Sequence, residues 1–102
     1  MAVADRNMLL VDIASRFGRN LARARKRAGL SQEEAGIRAS LHRTEIGLLE
    51  RGERVPRIDT AIKLAGAVGV PLGELIDGIE WSPGFARPGQ FASTPGGGDR
   101  GG

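Results

Sequence analysis

The stretch SQEEAGIRASLHRTEIGLLERG, residues 31–52, holds two short helical patterns with almost no sequence between them. It begins with Ser31 and a Glu three residues later, a pair that forms a capping box, in which each side chain accepts a hydrogen bond from the other residue's backbone N–H. This motif predicts a helix at about residues 32–39. The letters ASLH then interrupt the pattern, and a second helix is predicted at about residues 43–51, where Gly52 ends it.

Helical patterns also lie on both sides of this stretch. Before it, apolar residues recur at helical spacing over residues 12–28 and Gly29 supplies an end, so a first helix is predicted there. After it, the sequence DTAIKLAGAVG predicts a fourth helix at about residues 59–68, and LGELID predicts a short fifth helix at about 72–77. The residues that recur at helical spacing in the first helix are Phe17, Leu21, Ala24 and Ala28. The side chains predicted to face inward are Ile46 and Leu49 in the third helix and Ile62, Leu64, Ala65 and Val68 in the fourth.

The composition changes after Trp81. Residues 83–102 contain seven Gly and three Pro, and few aliphatic side chains. Such a segment cannot bury enough apolar surface to offset the entropy lost when a chain becomes ordered. We therefore predict a disordered, flexible tail at residues 83–102.

The charged residues and the missing residue types limit the functions open to the chain. The net charge is +3, and residues 16–27 contain six cations and no acid, a block that favours a polyanionic partner such as nucleic acid but also suits a solvated helix face. There is no Cys and one His, so we expect no disulfide, no metal site and no cofactor. No paired acids, nucleophile–base set or phosphate loop is present, so an enzyme is not expected. No apolar run suits a membrane span or a signal peptide, which predicts a cytoplasmic protein.

Two runs of residues, GLSQEE at 29–34 and LHRTEIGLLERGERVPRIDTAIKLAGAVGVPLGELI at 41–76, closely resemble the Cro/lambda-repressor-like helix-turn-helix family, also called the XRE family. The resemblance covers about residues 14–78. It implies an all-α fold, a five-helix lambda-repressor-like domain at residues 12–78, followed by the disordered tail. It also implies a sequence-specific DNA-binding transcriptional regulator whose third helix enters the major groove of double-stranded DNA.

The third helix is the element that this resemblance places against base edges. A major groove about 12 Å wide admits one helix, and residues at the N-terminal end of that helix reach the bases. Arg43 is able to donate two hydrogen bonds to guanine, Thr44 is able to contact a base or a thymine methyl, and Leu48 offers apolar contact only. Gly47 would let the helix lie close to the DNA. These four residues are the predicted base contacts.

Contacts to the DNA backbone are expected around the third helix. The resemblance implies a phosphate contact for the residue that opens the second helix, where free N–H groups and the helix dipole favour an anion. Cations in the loop after the third helix and on the first helix are expected to contact the flanking backbone, which fixes register without reading sequence. For His42 and Gln32 a plain exposed side chain is the alternative. The residues predicted to contact the backbone are Gln32, His42, Arg54, Arg57, Arg19 and Arg23.

Glu50 has a structural interpretation within this resemblance. We expect its carboxylate to pair with a cation of the first helix, such as Arg25, and so to fix the orientation of the third helix. It is not predicted to contact DNA.

The second helix departs from the usual family pattern at four positions. Ala35 replaces a Leu, which loses about 2 kcal/mol of core burial. Gly36 replaces an Ala, which costs up to about 1 kcal/mol of helix propensity. Ser40 replaces a Gly at a position where a left-handed conformation is expected. Ile37 replaces a polar residue, and we predict that it repacks inward to compensate for Ala35; a surface for a partner is the alternative.

A homodimer is expected, because one such helix reads only a few base pairs and two copies on one face of the duplex would lie about 34 Å apart. Two other functions remain open. One is an antitoxin or other protein-interaction module whose tail folds onto a partner, and the other is the controller protein of a restriction–modification operon. The residues predicted to form the dimer surface are Leu72, Leu75, Ile76, Ile79 and Trp81, with a place in the monomer core as the alternative for the first three.

Overall fold

Five helices and two strands make up the protein in the computed structural model, which describes residues 12–93. All five predicted helices are present, within a few residues of their predicted bounds. The helices are α1 (Ile13–Arg27), α2 (Gln32–Ala39), α3 (Arg43–Glu50), α4 (Ile58–Val68) and α5 (Leu72–Leu75), and the strands are β1 (Ile79–Ser82) and β2 (Gln90–Ser93).

Local hydrogen bonds fix where the first two helices begin. Asp12 caps α1 by accepting a hydrogen bond from the backbone N–H of Ala14 at 3.1 Å. The predicted capping box of α2 is confirmed: the Ser31 hydroxyl accepts from Glu34 N–H at 3.0 Å, and the Glu34 carboxylate accepts from Ser31 N–H at 2.7 Å. The bond from the Ser31 backbone N–H, with the Ser31 hydroxyl beside it, holds the pKa of Glu34 below its ordinary value. The stabilising effect of the charged carboxylate is therefore present at neutral pH and is lost as the pH falls through the titration of that carboxyl group.

The core lies between the five helices, and Ala39 of α2 belongs to it together with residues of α1, α3, α4 and α5. Phe17, Leu21, Ile46, Leu49 and Leu64 are fully buried, as the periodicity predicts. The inner face predicted for α4 was wrong at one position, because Ile62 is 55% exposed. It precedes Leu64 by two residues and therefore lies about 160° around the helix from it.

Two glycines allow neighbouring backbones to approach closely. A Cβ atom on Gly18 of α1 would stand 2.3 Å from the carbonyl oxygen of Leu49, so α1 crosses the C-terminal end of α3 at backbone contact. A Cβ on Gly36 of α2 would stand 2.6 Å from the carbonyl oxygen of Leu41, in the turn that joins α2 to α3. These two contacts set the position of α3 relative to the helices before it.

Ser40 ends α2 in the left-handed conformation that the sequence analysis expected, with φ 59° and ψ 42°. This conformation costs an L-residue about 1–2 kcal/mol, although a glycine also loses more entropy on folding. We expect Ser40→Gly to raise the free energy of unfolding by about 0.5–1 kcal/mol in chemical denaturation. The matched control is Arg38→Gly in the body of α2, which should lower it by about 1 kcal/mol. A Ser40→Gly protein that is no more stable than the parent would contradict the left-handed conformation of Ser40.

The structure differs from the predicted flexible tail at residues 90–93, which form strand β2. β1 and β2 form an antiparallel hairpin in which Ile79 lies opposite Ser93 and Trp81 lies opposite Phe91, whose ring centroids are 4.9 Å apart in an edge-to-face arrangement. Composition gives the number of side chains available for burial. It does not show that one aromatic cross-strand pair and a Gly/Pro-containing turn favour a β-hairpin. The rest of the predicted tail, 94–102, lies outside the described residues.

Candidate nucleic-acid interface

The first turn of α3 presents two polar side chains to solvent. His42 is the N-cap, and its Nδ1 accepts a hydrogen bond from the backbone N–H of Thr44 at 3.0 Å. The cap therefore uses the neutral imidazole tautomer with its proton on Nε2. Arg43 and Thr44 are both exposed. Among residues 12–93, Arg43 has no hydrogen-bond or ion-pair partner, so its guanidinium is available to a ligand.

The second turn of α3 is covered by an arginine that the sequence analysis did not nominate. The Nη1 atom of Arg51 lies 3.0 Å from the point where a Cβ on Gly47 would stand, so the guanidinium crosses the glycine and encloses it. Leu48 beside it is half-buried. Arg51 also binds Glu53, Nε to Oε2, at 2.8 Å, which raises the pKa of Arg51 and lowers that of Glu53. The sequence signal is an Arg four residues after a helical Gly, a spacing that places both on one face.

A buried ion pair ties α3 to α1 and confirms the pairing predicted for Glu50. Arg25 binds both carboxylate oxygens of Glu50, at 2.5 and 3.0 Å, and also donates to the Leu30 carbonyl at 2.8 Å. The side chains are 11% and 8% exposed. The hydrogen bond to Glu50 raises the pKa of Arg25. Gln32, at the start of α2, donates to Glu50 Oε1 at 3.0 Å. Three helices therefore share one carboxylate.

The loop between α3 and α4 carries two exposed cations. Arg54 has no hydrogen bond or salt bridge within the described part of the chain. Arg57 binds Asp59, Nε to Oδ1, at 3.1 Å, which lowers the pKa of that carboxyl group. Both partners of this pair are largely exposed, so the bond is easily exchanged for a phosphate contact.

The two cations nominated on α1 do not lie on the side that meets α3. Arg19 and Arg23 are both exposed. Arg23 Nη1 donates a hydrogen bond to the Asn20 side-chain oxygen at 3.4 Å. The Asn20 side-chain amide donates in turn to the carbonyls of Leu75, the last residue of α5, and Asp77. Arg23 thus faces α5 and is about 160° around α1 from the residue that pairs with Glu50. Gln32 of α2 meets α3 through Glu50, whereas Arg23 lies near α5.

The exposed apolar residues differ from those nominated for a partner. Leu75 is wholly buried in the monomer core, so its assignment to a dimer surface was wrong. Leu72 and Ile79 are half-buried, whereas Ile76 and Trp81 are exposed. Ile37 did not repack inward: its side chain is 72% exposed, because it is two residues from the buried Ala35 and Ala39 and therefore lies about 160° around α2 from both. The large apolar residues exposed without having been nominated are Val55, Ile58, Ile62, Phe85 and Phe91.

No group of three or more His, Asp and Glu side chains among residues 12–93 is placed to hold a metal ion. None of the helices in that part of the chain is long and apolar enough to cross a bilayer.

Comparison with known proteins assigns the chain to a family. The HTH_3 family model, described as helix-turn-helix, matches residues 21–75, more than half of the chain. An uncharacterized HTH-type transcriptional regulator, y4dJ of Sinorhizobium fredii (strain NBRC 101917 / NGR234), is 37% identical over 73 residues, 72% of this chain and 95% of the relative. The control protein C.BamHI of Bacillus amyloliquefaciens is 36% identical over 62 residues, 60% of this chain and 76% of the relative.

A solved structure shares the arrangement of helices. The restriction–modification controller protein C.AhdI of Aeromonas hydrophila superposes with a TM-score of 0.59 at 35% sequence identity, over 61% of this chain and 90% of that protein. Together with this superposition, the family match over residues 21–75 and the 37% identity to a helix-turn-helix regulator establish that the chain belongs to the XRE family of helix-turn-helix transcriptional regulators.

Proposed function

We propose that this protein binds double-stranded DNA in a sequence-specific manner and reads the major groove with α3. The observation that carries the proposal is the exposed Arg43, unpaired among residues 12–93, at the N-terminal end of a helix whose other end is fixed by the buried Arg25–Glu50 pair. A fixed helix limits the entropy lost when a side chain docks on a base. Arg43 bidentate to guanine and Thr44 beside it are the proposed base contacts, with Leu48 on the next turn.

Arg51 changes the expected contacts of the second turn. Its guanidinium crosses Gly47, so the glycine backbone approaches DNA only if this side chain moves. Its salt bridge to Glu53 is exposed and therefore weak. We propose that Arg51 exchanges Glu53 for DNA, which makes it an additional contact rather than a purely structural residue.

Backbone contacts are proposed for the residues that surround this helix. Arg54 is unpaired within residues 12–93 and Arg57 is held only by an exposed bond to Asp59, so both are available to phosphates. Gln32 and His42 lie at the starts of α2 and α3, where backbone N–H groups favour anions. Arg19 is a weaker candidate, and the position of Arg23 near α5 argues against it.

We propose that the protein acts as a homodimer and regulates transcription. The names of two relatives, control protein C.BamHI and restriction–modification controller protein C.AhdI, favour a controller of a restriction–modification operon as the more specific role. Electrophoretic mobility measurements with the DNA upstream of its own gene test this role. A controller should bind that DNA far more tightly than random duplex of the same length.

Two arginine substitutions test the DNA-reading surface. Arg43→Ala removes a forked donor directed at a base, so it should weaken cognate binding by about 1–3 kcal/mol and relax preference at one base pair per half-site. Arg54→Ala removes a charge near phosphate, so it should weaken cognate and random duplex about equally. It should also reduce the slope of log K against log salt by about 0.9 per monomer. Selection from a randomised duplex library, followed by salt titration, measures both.

The matched control is Arg27→Ala, because Arg27 forms an exposed salt bridge with Glu74 of α5, away from α3. It removes the same charge and should leave both the selected motif and the salt slope nearly unchanged. If Arg43→Ala returned the parent's motif with the same information at every position, α3 would not read bases through Arg43.

A further inference from the structure

The first helix carries three cations on the side opposite the core. Arg19, Arg23 and Lys26 are all exposed. They follow one another at spacings of four and three residues, so they lie within about 60° of one another around α1. The buried Phe17 and Leu21 lie on the other side of the helix. The surface formed by Arg19, Arg23 and Lys26 is called the outer basic face below.

The outer basic face retains its positive charge in the folded protein. α1 contains no Asp or Glu. Within residues 12–93 the side chains of Arg19 and Lys26 have no hydrogen bond or ion pair, and Arg23 donates to the neutral side-chain oxygen of Asn20 at 3.4 Å. Like charges four residues apart on a helix repel one another. An anion bound across the face relieves this repulsion.

The chemistry of this face favours nucleic-acid phosphate over a protein or a membrane as the partner. Protein interfaces bury an apolar centre, and helices that lie on membranes expose an apolar face. The apolar face of α1 is instead buried in the core, together with Leu49 and Leu64. Contacts to phosphate require only cations.

The length of the outer basic face fits the backbone of a duplex. Arg19 and Lys26 are seven residues apart, which is about 10.5 Å along the helix axis. One strand of DNA carries a phosphate about every 3.4 Å along its axis. The face therefore spans about three phosphate intervals, and its cations are able to contact phosphates of one strand.

The outer basic face and the DNA-reading surface lie on different sides of α1. Arg25 marks the side that meets α3, through its buried ion pair with Glu50. The centre of the face lies about 130° around the helix from Arg25. Arg23, at the edge of the face, lies near α5. In this arrangement a duplex bound by the first turn of α3 leaves the face open to another duplex.

We propose that the outer basic face binds the phosphate backbone of a second DNA duplex, so that the protein bridges this duplex and the one read by α3. The contact uses no base edge and is independent of sequence. Three neutralised phosphates give a slope of about −2.7 for log K against log salt, which is a roughly fortyfold loss of affinity between about 50 and 200 mM salt. The inference rests on the proposed DNA-binding function for the first duplex only.

Capture of a second duplex tests the bridge. The duplex selected from the randomised library is immobilised through biotin, saturated with protein and exposed to a fluorescent random duplex in about 50 mM salt. The Arg23→Gln/Lys26→Gln protein should capture about tenfold less random duplex than the parent, because two of three phosphate contacts are lost. It should occupy the immobilised duplex to the same extent as the parent.

The matched control removes two positive charges elsewhere. Arg27 is paired with Glu74 and Lys63 is exposed on α4, so Arg27→Gln/Lys63→Gln lowers the net charge equally and leaves the outer basic face intact. This control should capture as much random duplex as the parent. Equal losses in the two double variants would overturn the proposal, and so would undiminished capture by the Arg23→Gln/Lys26→Gln protein. Stronger capture of a polyglutamate of equal charge would refute DNA as the partner.

A second arrangement separates failure of this inference from failure of the proposed function. Protein immobilised through its C-terminus is exposed to random duplex alone, so no selected site is needed. In protein that carries Arg43→Ala and Arg54→Ala, adding Arg23→Gln/Lys26→Gln should lower binding by about tenfold or more. If this loss disappeared, the two cations would belong to the DNA-reading surface and the separate face would be refuted. Failure to select any DNA motif would contradict the proposed function and leave this result standing.

Discussion

Replacing Glu50 with Ala is expected to lower the free energy of unfolding by about 3 kcal/mol, because the substitution leaves the guanidinium of Arg25 buried without its counter-ion. The value lies at the lower end of the range for broken buried pairs, since Arg25 keeps its hydrogen bond to the Leu30 carbonyl and is 11% exposed. Gln32 also loses its acceptor. Chemical denaturation followed by far-UV circular dichroism measures the change.

The control for Glu50 is a carboxylate in an exposed ion pair. Glu53 binds Arg51 at 2.8 Å, but both side chains are more than half exposed. Glu53→Ala should leave the free energy of unfolding nearly unchanged, because water replaces the lost partner. If both variants destabilised the protein equally, the Arg25–Glu50 pair would not anchor α3 in the way that the burial indicates.

Gly18→Ala is expected to destabilise the domain by about 3 kcal/mol, at the upper end for overpacking. The added Cβ would stand 2.3 Å from a backbone oxygen of α3, and neither helix is able to turn a side chain aside to make room. α1 and α3 must move apart, which loosens the packing around Phe17 and Leu21. Thermal unfolding of the variant beside the parent tests this result.

Gly66→Ala is the matched control for this substitution. Gly66 also lies within a helix, but no atom stands within 4 Å of its added Cβ. The change should therefore stabilise the protein by about 0.5–1 kcal/mol through helix propensity alone. Opposite signs at Gly18 and Gly66 are the expected outcome, and a stabilising Gly18→Ala would refute the close crossing of α1 and α3.

Features that depend on near neighbours in the chain could be predicted from the sequence. The capping box at Ser31 involves residues three positions apart, whereas the left-handed Ser40 was expected from the family resemblance, in which a Gly is usual at that position. The fully buried Phe17, Leu21 and Leu64 follow from helical periodicity. The pairing of Glu50 with Arg25 needed the family resemblance, because 25 residues separate the partners.

The sequence by itself determined the five helices and the capping box of α2, because these depend on hydrogen bonds and periodicity within a few residues, whereas the exposed start of α3 was implied by the family resemblance. Only the tertiary structure decided features that need two distant segments at once. Helix propensity suggests that Gly36 is a defect, yet the Leu41 carbonyl occupies the space of its Cβ, so an Ala there meets a clash. Ile62 has a core residue's side chain but lies on the outer face of α4, and Trp81 finds Phe91 across a turn. Composition and propensity describe each residue separately. Whether a side chain fits at a position depends on how closely two distant backbone segments pack there.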